Sequence, residues 1–214
     1  KEAIQVCSRH AKLVFMASDI FASMRTNPTP TRAEVSDLAN AVIDGIDAAV
    51  LSEELALGPH CARALTTCRS TIQDVESHVG TQINWKRRQA EVTNEFEAVT
   101  FHALKTAERV HARAVVCITK NGNTALQLAA FRIGLPVIAV TFSTSVYRRL
   151  SLVRGISPVF LDTAPTLDNV LPLLNERLKH DSWLQPGDKI VLVSVSLSPV
   201  GKQASNLFTV QRVE

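Results

Sequence analysis

The stretch Asn27-Pro-Thr-Pro-Thr-Arg-Ala-Glu-Val-Ser-Asp-Leu-Ala-Asn-Ala-Val-Ile-Asp-Gly-Ile-Asp-Ala-Ala-Val-Leu-Ser52 decides how the first half of the chain folds. Its two prolines mark a loop. A helix is predicted from about Ala33 to Asp44. Glu34 and Asp37 sit in its first turn, where carboxylates favour the helix dipole, and Gly45 is its C-terminal cap. Asp47 to Leu51 then reads as a buried strand. Working outward, residues 1–11 read as the end of a helix and Lys12 to Ala17 as a short apolar strand buried on both faces. Glu53 to His60 reads as a loop and Cys61 to His78 as another helix. This helix–strand alternation predicts a parallel sheet or barrel.

Residues 81–91, within the polar and basic run Gly80 to Glu91, read as a linker between a unit at 1–80 and a second at 92–214. The second unit opens with a long helix, Val92 to Ala112, whose apolar stripe is predicted to run through Phe96, Val99, Leu104 and Val110, with Ala98, Ala103 and Ala107 between them. Strands are predicted at Ala114–Ile118, Pro136–Val140, Pro158–Phe160, Lys189–Ser194 and Leu207–Val213. Helices are predicted at Asn123–Arg132, Ser145–Val153 and Leu167–Lys179. The alternation predicts a doubly wound α/β sheet. The last two strands have no helix between them, so an antiparallel edge hairpin is expected.

Composition bounds the partners. The 214 residues are 46% apolar and 20% charged, with a formal charge of +3, as in ordinary globular protein. No cluster of Lys and Arg interleaves with aromatics, so nucleic acid is not expected. Lys86-Arg87-Arg88 and Arg148-Arg149 read as solvated surface. No run of about 18 apolar residues predicts a membrane span, and no signal peptide opens the chain. The first residue is Lys, which reads as a fragment or processed product. Cys7, Cys61, Cys68 and Cys117 show no zinc spacing and no disulfide framework, which favours a reducing, cytoplasmic compartment. Cys7 and Cys117 read as core residues. Cys7 and His10 lack further ligands, so no metal site is expected.

The blocks Ala17-Ser-Asp-Ile-Phe-Ala-Ser-Met24, Pro28-Thr-Pro-Thr-Arg-Ala-Glu34, Ser36-Asp-Leu-Ala-Asn-Ala-Val42 and Leu51-Ser-Glu-Glu54 resemble pyruvate kinases. So do Ile118-Thr-Lys-Asn-Gly-Asn-Thr-Ala125, Pro136-Val-Ile-Ala-Val-Thr141, Arg154-Gly-Ile-Ser-Pro158 and Gly187-Asp188 in the second half. The string Pro-Thr-Arg-Ala-Glu is the most specific of these. The resemblance implies that residues 1–80 are the last two strands of a (β/α)8 barrel, an incomplete barrel segment. Residues 92–214 would be the family's C-terminal regulatory α/β domain. In the family, the lysine facing the phosphoryl group and the acids that hold the divalent ion precede this segment. Mg2+ and K+ are therefore expected only of a complete enzyme, with ligands outside this chain. Six further barrel strands must come from a parent chain or partner.

By the same resemblance, Ser18 stands where the family has a substrate-lining Thr. Asp19 replaces a neutral amide side chain, and a charge there faces anionic substrates. Glu53 replaces a glycine, adding bulk and charge where backbone freedom is expected. These departures suggest a degenerate site. In the second unit, Thr119, Lys120, Asn121, Gly122, Asn123 and Thr124 join a strand to a helix, whose first N–H groups favour an anion. The resemblance makes this loop a grip for a sugar-phosphate effector, with Lys202 and nearby serines as a second contact. Trp183 reads as an ordinary interdomain or core aromatic, with stacking near that contact as the alternative. The plain alternative is a helix cap using Asn123 or Thr124. Three functions stand at this point: part of a working pyruvate kinase that is inactive alone, a catalytically dead scaffold or subunit, and a sugar-phosphate-sensing module. A homo-oligomer is expected from the family.

Overall fold

The computed structural model describes residues 1–17, 19–79, 92–132, 134–162, 172, 184–195 and 206–213. Ser18, Trp183, Lys202, the linker and the helix expected at 167–179 lie outside these, apart from residue 172. The chain divides into two compact units, Lys1–Gln82 and Ile83–Glu214.

In the first unit the elements run α1 (Glu2–Arg9), β1 (Phe15–Met16), a 3-10 turn (Ala22–Arg25), α2 (Arg32–Asp44), β2 (Ala48–Ala49), α3 (Glu53–Ala56) and α4 (Cys61–Val79). β1 and β2 are parallel, with Phe15 opposite Ala48 and Met16 opposite Ala49. Asp47 locks the pair from one end: its N–H donates to the Val14 carbonyl at 2.8 Å, and Val14 N–H donates to its carboxylate at 2.9 Å. α3 occupies what the sequence suggested was loop. Cys7 is half-buried rather than core.

One face of this ribbon is covered. Val14, Met16, Ala49 and Leu51 pack on a core of Ile20, Phe21, Met24, Leu38, Val42, Ile46, Ala64 and Cys68. The other face is open, with Phe15 44% and Val50 43% exposed. The strands are therefore shorter and less buried than predicted. Their sequence is written for cover on both faces, and each strand pairs only with the other among the described residues.

The motif at 31–34 is a joint. Thr31 is the N-cap of α2: its Oγ1 accepts from Glu34 N–H, and the Glu34 carboxylate accepts from Thr31 N–H, a reciprocal capping box. The same carboxylate accepts from Ser23 N–H at 2.8 Å and from Ser23 Oγ at 2.5 Å. One side chain thus finishes a helix end and ties it to the 3-10 turn. Partial burial pushes the Glu34 carboxyl up, but the hydrogen bonds from Ser23 and Thr31 outweigh it and leave the group below its ordinary value. Gly45 ends α2 in the left-handed conformation, as its sequence position predicted.

The second unit runs α5 (Glu95–Arg109), β3 (Ala114–Ile118), α6 (Asn123–Ala130), β4 (Val137–Thr141), α7 (Thr144–Leu150), β5 (Ile156–Phe160), β6 (Lys189–Val195) and β7 (Asn206–Arg212). The sheet order is β5-β4-β3-β6-β7. All neighbours are parallel except β6 and β7, which form the expected antiparallel edge. β3 and β4 are buried along their whole length, as continuous apolar runs in a doubly covered parallel sheet should be.

α5 begins with the same chemistry as α2. Asn94 caps Glu97 N–H, while the Glu97 carboxylate accepts from Thr93 N–H and Thr93 Oγ1. Its buried stripe is Thr100, Phe101, Ala103, Leu104 and Ala107: Ala103, Leu104 and Ala107 lie on the expected stripe, while Phe96 and Val99 are only partly buried and Phe101 takes the inward place. The helix ends at Arg109, so Val110 falls beyond it. Phe101 is the large residue that reaches inward and meets Phe131 at 5.6 Å between ring centroids.

Glu34→Gln is expected to destabilise the first unit by about 2 kcal/mol, because it weakens several hydrogen bonds to a charge at once. Folding lowers this carboxyl's pKa, so its contribution is complete above the ordinary glutamate range. It is lost as pH falls through the lower folded value. Urea melts of wild type and variant should therefore differ at neutral pH and converge in acid.

Candidate functional site

Two loop clusters carry the candidate functional residues. In the second unit, the chain steps from β3 to β4 to β5 in one direction, and β6 returns on the other side of β3. The carboxyl ends of β3 and β6 therefore flank a topological switch point, the usual place for a ligand in an open α/β sheet. Ile118 and Ser194 are partners in register at that end. The segment Thr119 to Thr124 leaves β3 there. The segment with Lys202 lies beyond the end of β6, outside the described residues.

The β3 loop is held from inside. Thr119 N–H donates to the Val140 carbonyl at 2.9 Å. Thr119 Oγ1 accepts from Gly122 N–H at 2.8 Å. Thr119 and Thr124 are only 4% and 5% exposed, whereas Lys120, Asn121 and Asn123 are exposed. The two threonines thus shape the loop, and the solvent-facing groups are the lysine and the two amides. Neither Asn123 nor Thr124 caps α6: the N-cap is Gly122, in the left-handed conformation at φ 84°, with no side-chain cap. The first N–H groups of α6 lack the side-chain acceptor expected of a plain cap, which suits an anion.

Sequence reasoning missed Arg149. It read the Arg148-Arg149 pair as solvated surface. Arg149, on the last turn of α7, instead reaches back to the Asn121 carbonyl with one Nη. A side chain at Gly122 would place its Cβ 2.7 Å from that nitrogen. Nothing in the spacing of 28 residues signals this contact. It follows from α7 running back beside the loop that leaves the neighbouring strand.

In the first unit, the residues that follow β1 and β2 meet at the carboxyl ends of the strands. Arg25 is shared between two acids: Nη2 lies 2.8 Å from Asp19 Oδ1, and Nη1 lies 2.9 Å from Glu53 Oε2. Glu53 opens the first turn of α3 in ordinary helical conformation, so the backbone there asks for no glycine. Glycine is required at 58 instead, where a Cβ would stand 2.7 Å from the Glu54 carbonyl oxygen. Glu54 itself is fully buried. Its Oε2 accepts from Ser52 N–H and Oγ at 3.1 and 3.3 Å, and Oε1 has no hydrogen-bond partner among the described residues. Burial, and after it the Glu54 charge, pushes the Cys68 thiol up. Burial alone pushes Cys117 to about 12, which leaves it a core thiol without nucleophilic character at neutral pH. Among the described residues no three His, Cys, Asp or Glu side chains converge on a metal position.

The sequence of residues 97–211 matches the family model for the pyruvate kinase alpha/beta domain, and residues 1–65 match the pyruvate kinase barrel domain. The chain belongs to the pyruvate kinase family. It is 32% identical to the pyruvate kinase of Clostridium acetobutylicum over 215 residues, spanning 100% of this chain and 45% of that protein. It is 42% identical to that of Chlamydia trachomatis serovar D over 147 residues, spanning 67% of this chain and 30% of the other. Among solved structures, a Cryptosporidium parvum pyruvate kinase in complex with ADP is 28% identical and superposes with a TM-score of 0.82, covering 99% of this chain and 43% of that one. A second crystal structure of a pyruvate kinase from the same organism gives 0.87. The chain spans less than half the length of these relatives. The fold is therefore that of the end of the pyruvate kinase barrel followed by the family's mixed α/β domain.

Gly122→Ala is expected to cost about 1 kcal/mol from the left-handed backbone alone. The Arg149 guanidinium, a flexible end, can swing aside. A urea melt of the second unit should show the loss, and Arg149→Ala in the same background should not restore it.

Proposed function

We propose that this chain is the barrel terminus and regulatory domain of a pyruvate kinase, the complete polypeptide transferring a phosphoryl group from phosphoenolpyruvate to ADP to give pyruvate and ATP. The observation that carries this reading is the parallel pairing of β1 with β2 behind the Thr31–Glu34 capping box, in a chain whose two halves match the family's two domains in order. Two strands cannot close a cylinder or fill its interior layers. The open face with Phe15 and Val50 fits cover by the remaining six strands, from the parent chain or a partner. By resemblance Ser18 lines the substrate position. Mg2+ and K+ would neutralise phosphate charge in the complete enzyme. The described residues offer them no ligand cluster, and no step on this chain runs through them.

In the second unit, we infer that Thr119 to Thr124, with Lys202, receives a phosphate of a sugar-phosphate effector. The support is the uncapped α6 N-terminus at the switch point, with Lys120 exposed beside it. Lys120 would supply charge, the first α6 N–H groups would supply aligned donors, and Thr119 would hold the turn that aims them. A homo-oligomer and a cytoplasmic location belong to the same reading.

A second reading, a family member that has lost catalysis, is favoured by the acids at the barrel mouth. Asp19 and Glu53 share one guanidinium, which leaves a net negative charge where an anionic substrate would approach.

A lactate-dehydrogenase-coupled assay is expected to show no turnover by the 214-residue chain. Turnover by the complete polypeptide would favour the enzyme over the scaffold, and its absence there would reverse that choice. Calorimetry with a fructose bisphosphate is expected to give binding heat that falls at least tenfold in affinity in Lys120→Ala, through loss of a direct charge contact. No heat with wild type would remove the effector site.

A further inference from the structure

We propose that Arg25 clamps the two loops that follow β1 and β2 into a single body, so that they open or stay shut together. Two independent observations carry this. The first is the shared guanidinium. Arg25 lies at the end of the 3-10 turn after β1. It is oriented by Asp19 of its own loop at 2.8 Å and reaches Glu53, at the start of α3 after β2, at 2.9 Å. The second is backbone proximity. α3 packs on the 3-10 turn, and a Cβ at Gly58 would stand 3.1 Å from the Met24 carbonyl oxygen, next to Arg25 in sequence. The loops thus approach closely at one point, leaving little room for a side chain at Gly58, and are joined by opposite charges at another.

The three side chains have consistent roles. Asp19 positions the guanidinium, and Arg25–Glu53 is the bond that crosses between loops. Neither acid alone makes the clamp. Their side chains remain 70% and 53% exposed, and that of Arg25 40%. Salt and competing anions therefore reach the pairs, and each contributes modestly. An oxyanion arriving at this face competes with the two carboxylates for the one guanidinium, so occupancy of the face and opening of the loops are linked. The barrel reading matters only for naming this face a mouth; the coupling of the loops stands on the contacts themselves.

Hydrogen exchange on the 214-residue chain tests the clamp. The reporters are the hydrogen-bonded amides of Met24 and Asn27 in the first loop and of Leu55 and Leu57 in the second. Glu53→Gln should speed exchange in both sets on the order of threefold, though the substitution lies in only one loop. Arg25→Gln should do the same, and the double variant should do no more than either alone. Salt at about 1 M, where the Debye length is about 3 Å, should reproduce the effect in wild type and add nothing in Arg25→Gln. An effect of Glu53→Gln confined to Leu55 and Leu57, additive double-variant behaviour, or solvent-rate exchange of all four amides in wild type would overturn the proposal. The readout does not involve turnover, so a complete polypeptide that proved inactive would leave this result standing.

Discussion

The Glu34 carboxylate is the point on which the first unit turns. It completes the N-terminus of α2 through Thr31 and holds the 3-10 turn through Ser23. The turn carries Met24, one of the fully buried side chains, and α2 carries Leu38, another. Without that joint two large members of a small core would be fixed to independent pieces of chain. The string Pro-Thr-Arg-Ala-Glu is thus recognisable for a structural reason. Its proline, with Pro28 just before it, sets the loop, its threonine and glutamate close the box, and the glutamate reaches beyond the box to a residue eleven positions upstream. Thr93, Asn94 and Glu97 repeat the helix-starting half of this arrangement in the second unit, without the long-range arm.

Much of the fold was legible in the residues, and the reasons are local. Apolar runs such as Ala114–Ile118 announce doubly covered strands, and Gly45 announces the end of α2. The absence of a helix between the last two strands announces their antiparallel pairing. What was not legible depended on contacts between distant segments. Burial of Phe101 in place of Phe96 is set by what α5 packs on, which periodicity alone does not identify. The short α3 follows from a turn that packs on Met24. β1 and β2 read as buried because their composition is that of barrel strands, although cover for one of their faces is not found among the described residues.

The candidate sites divided in the same way. The loop at 119–124 could be placed from strand, glycine and helix in succession. Its inner logic, with Thr119 and Thr124 turned inward and Arg149 holding Asn121, required the neighbouring strand and its helix. Asp19 and Glu53 were visible in the sequence as departures from the pattern of the resembled family, read together as a degenerate site. Arg25 joins them. The two acids converge on one guanidinium, so they act as one arrangement in the structure rather than as two separate changes.

The position of β6 has a consequence for how the second unit is made. β3 sits in the middle of its sheet, yet one of its two partners is Lys189–Val195, far downstream of it in sequence. During synthesis the strands β3, β4 and β5 emerge first and can pair, while the other margin of β3 stays bare until Lys189–Val195 leaves the ribosome. Closing so long a loop is slow, and a bare margin of Val115, Val116 and Cys117 is sticky in the meantime. Any truncation before residue 189 would therefore leave the centre of the sheet exposed as an edge, and such products should aggregate rather than fold as smaller versions of the domain.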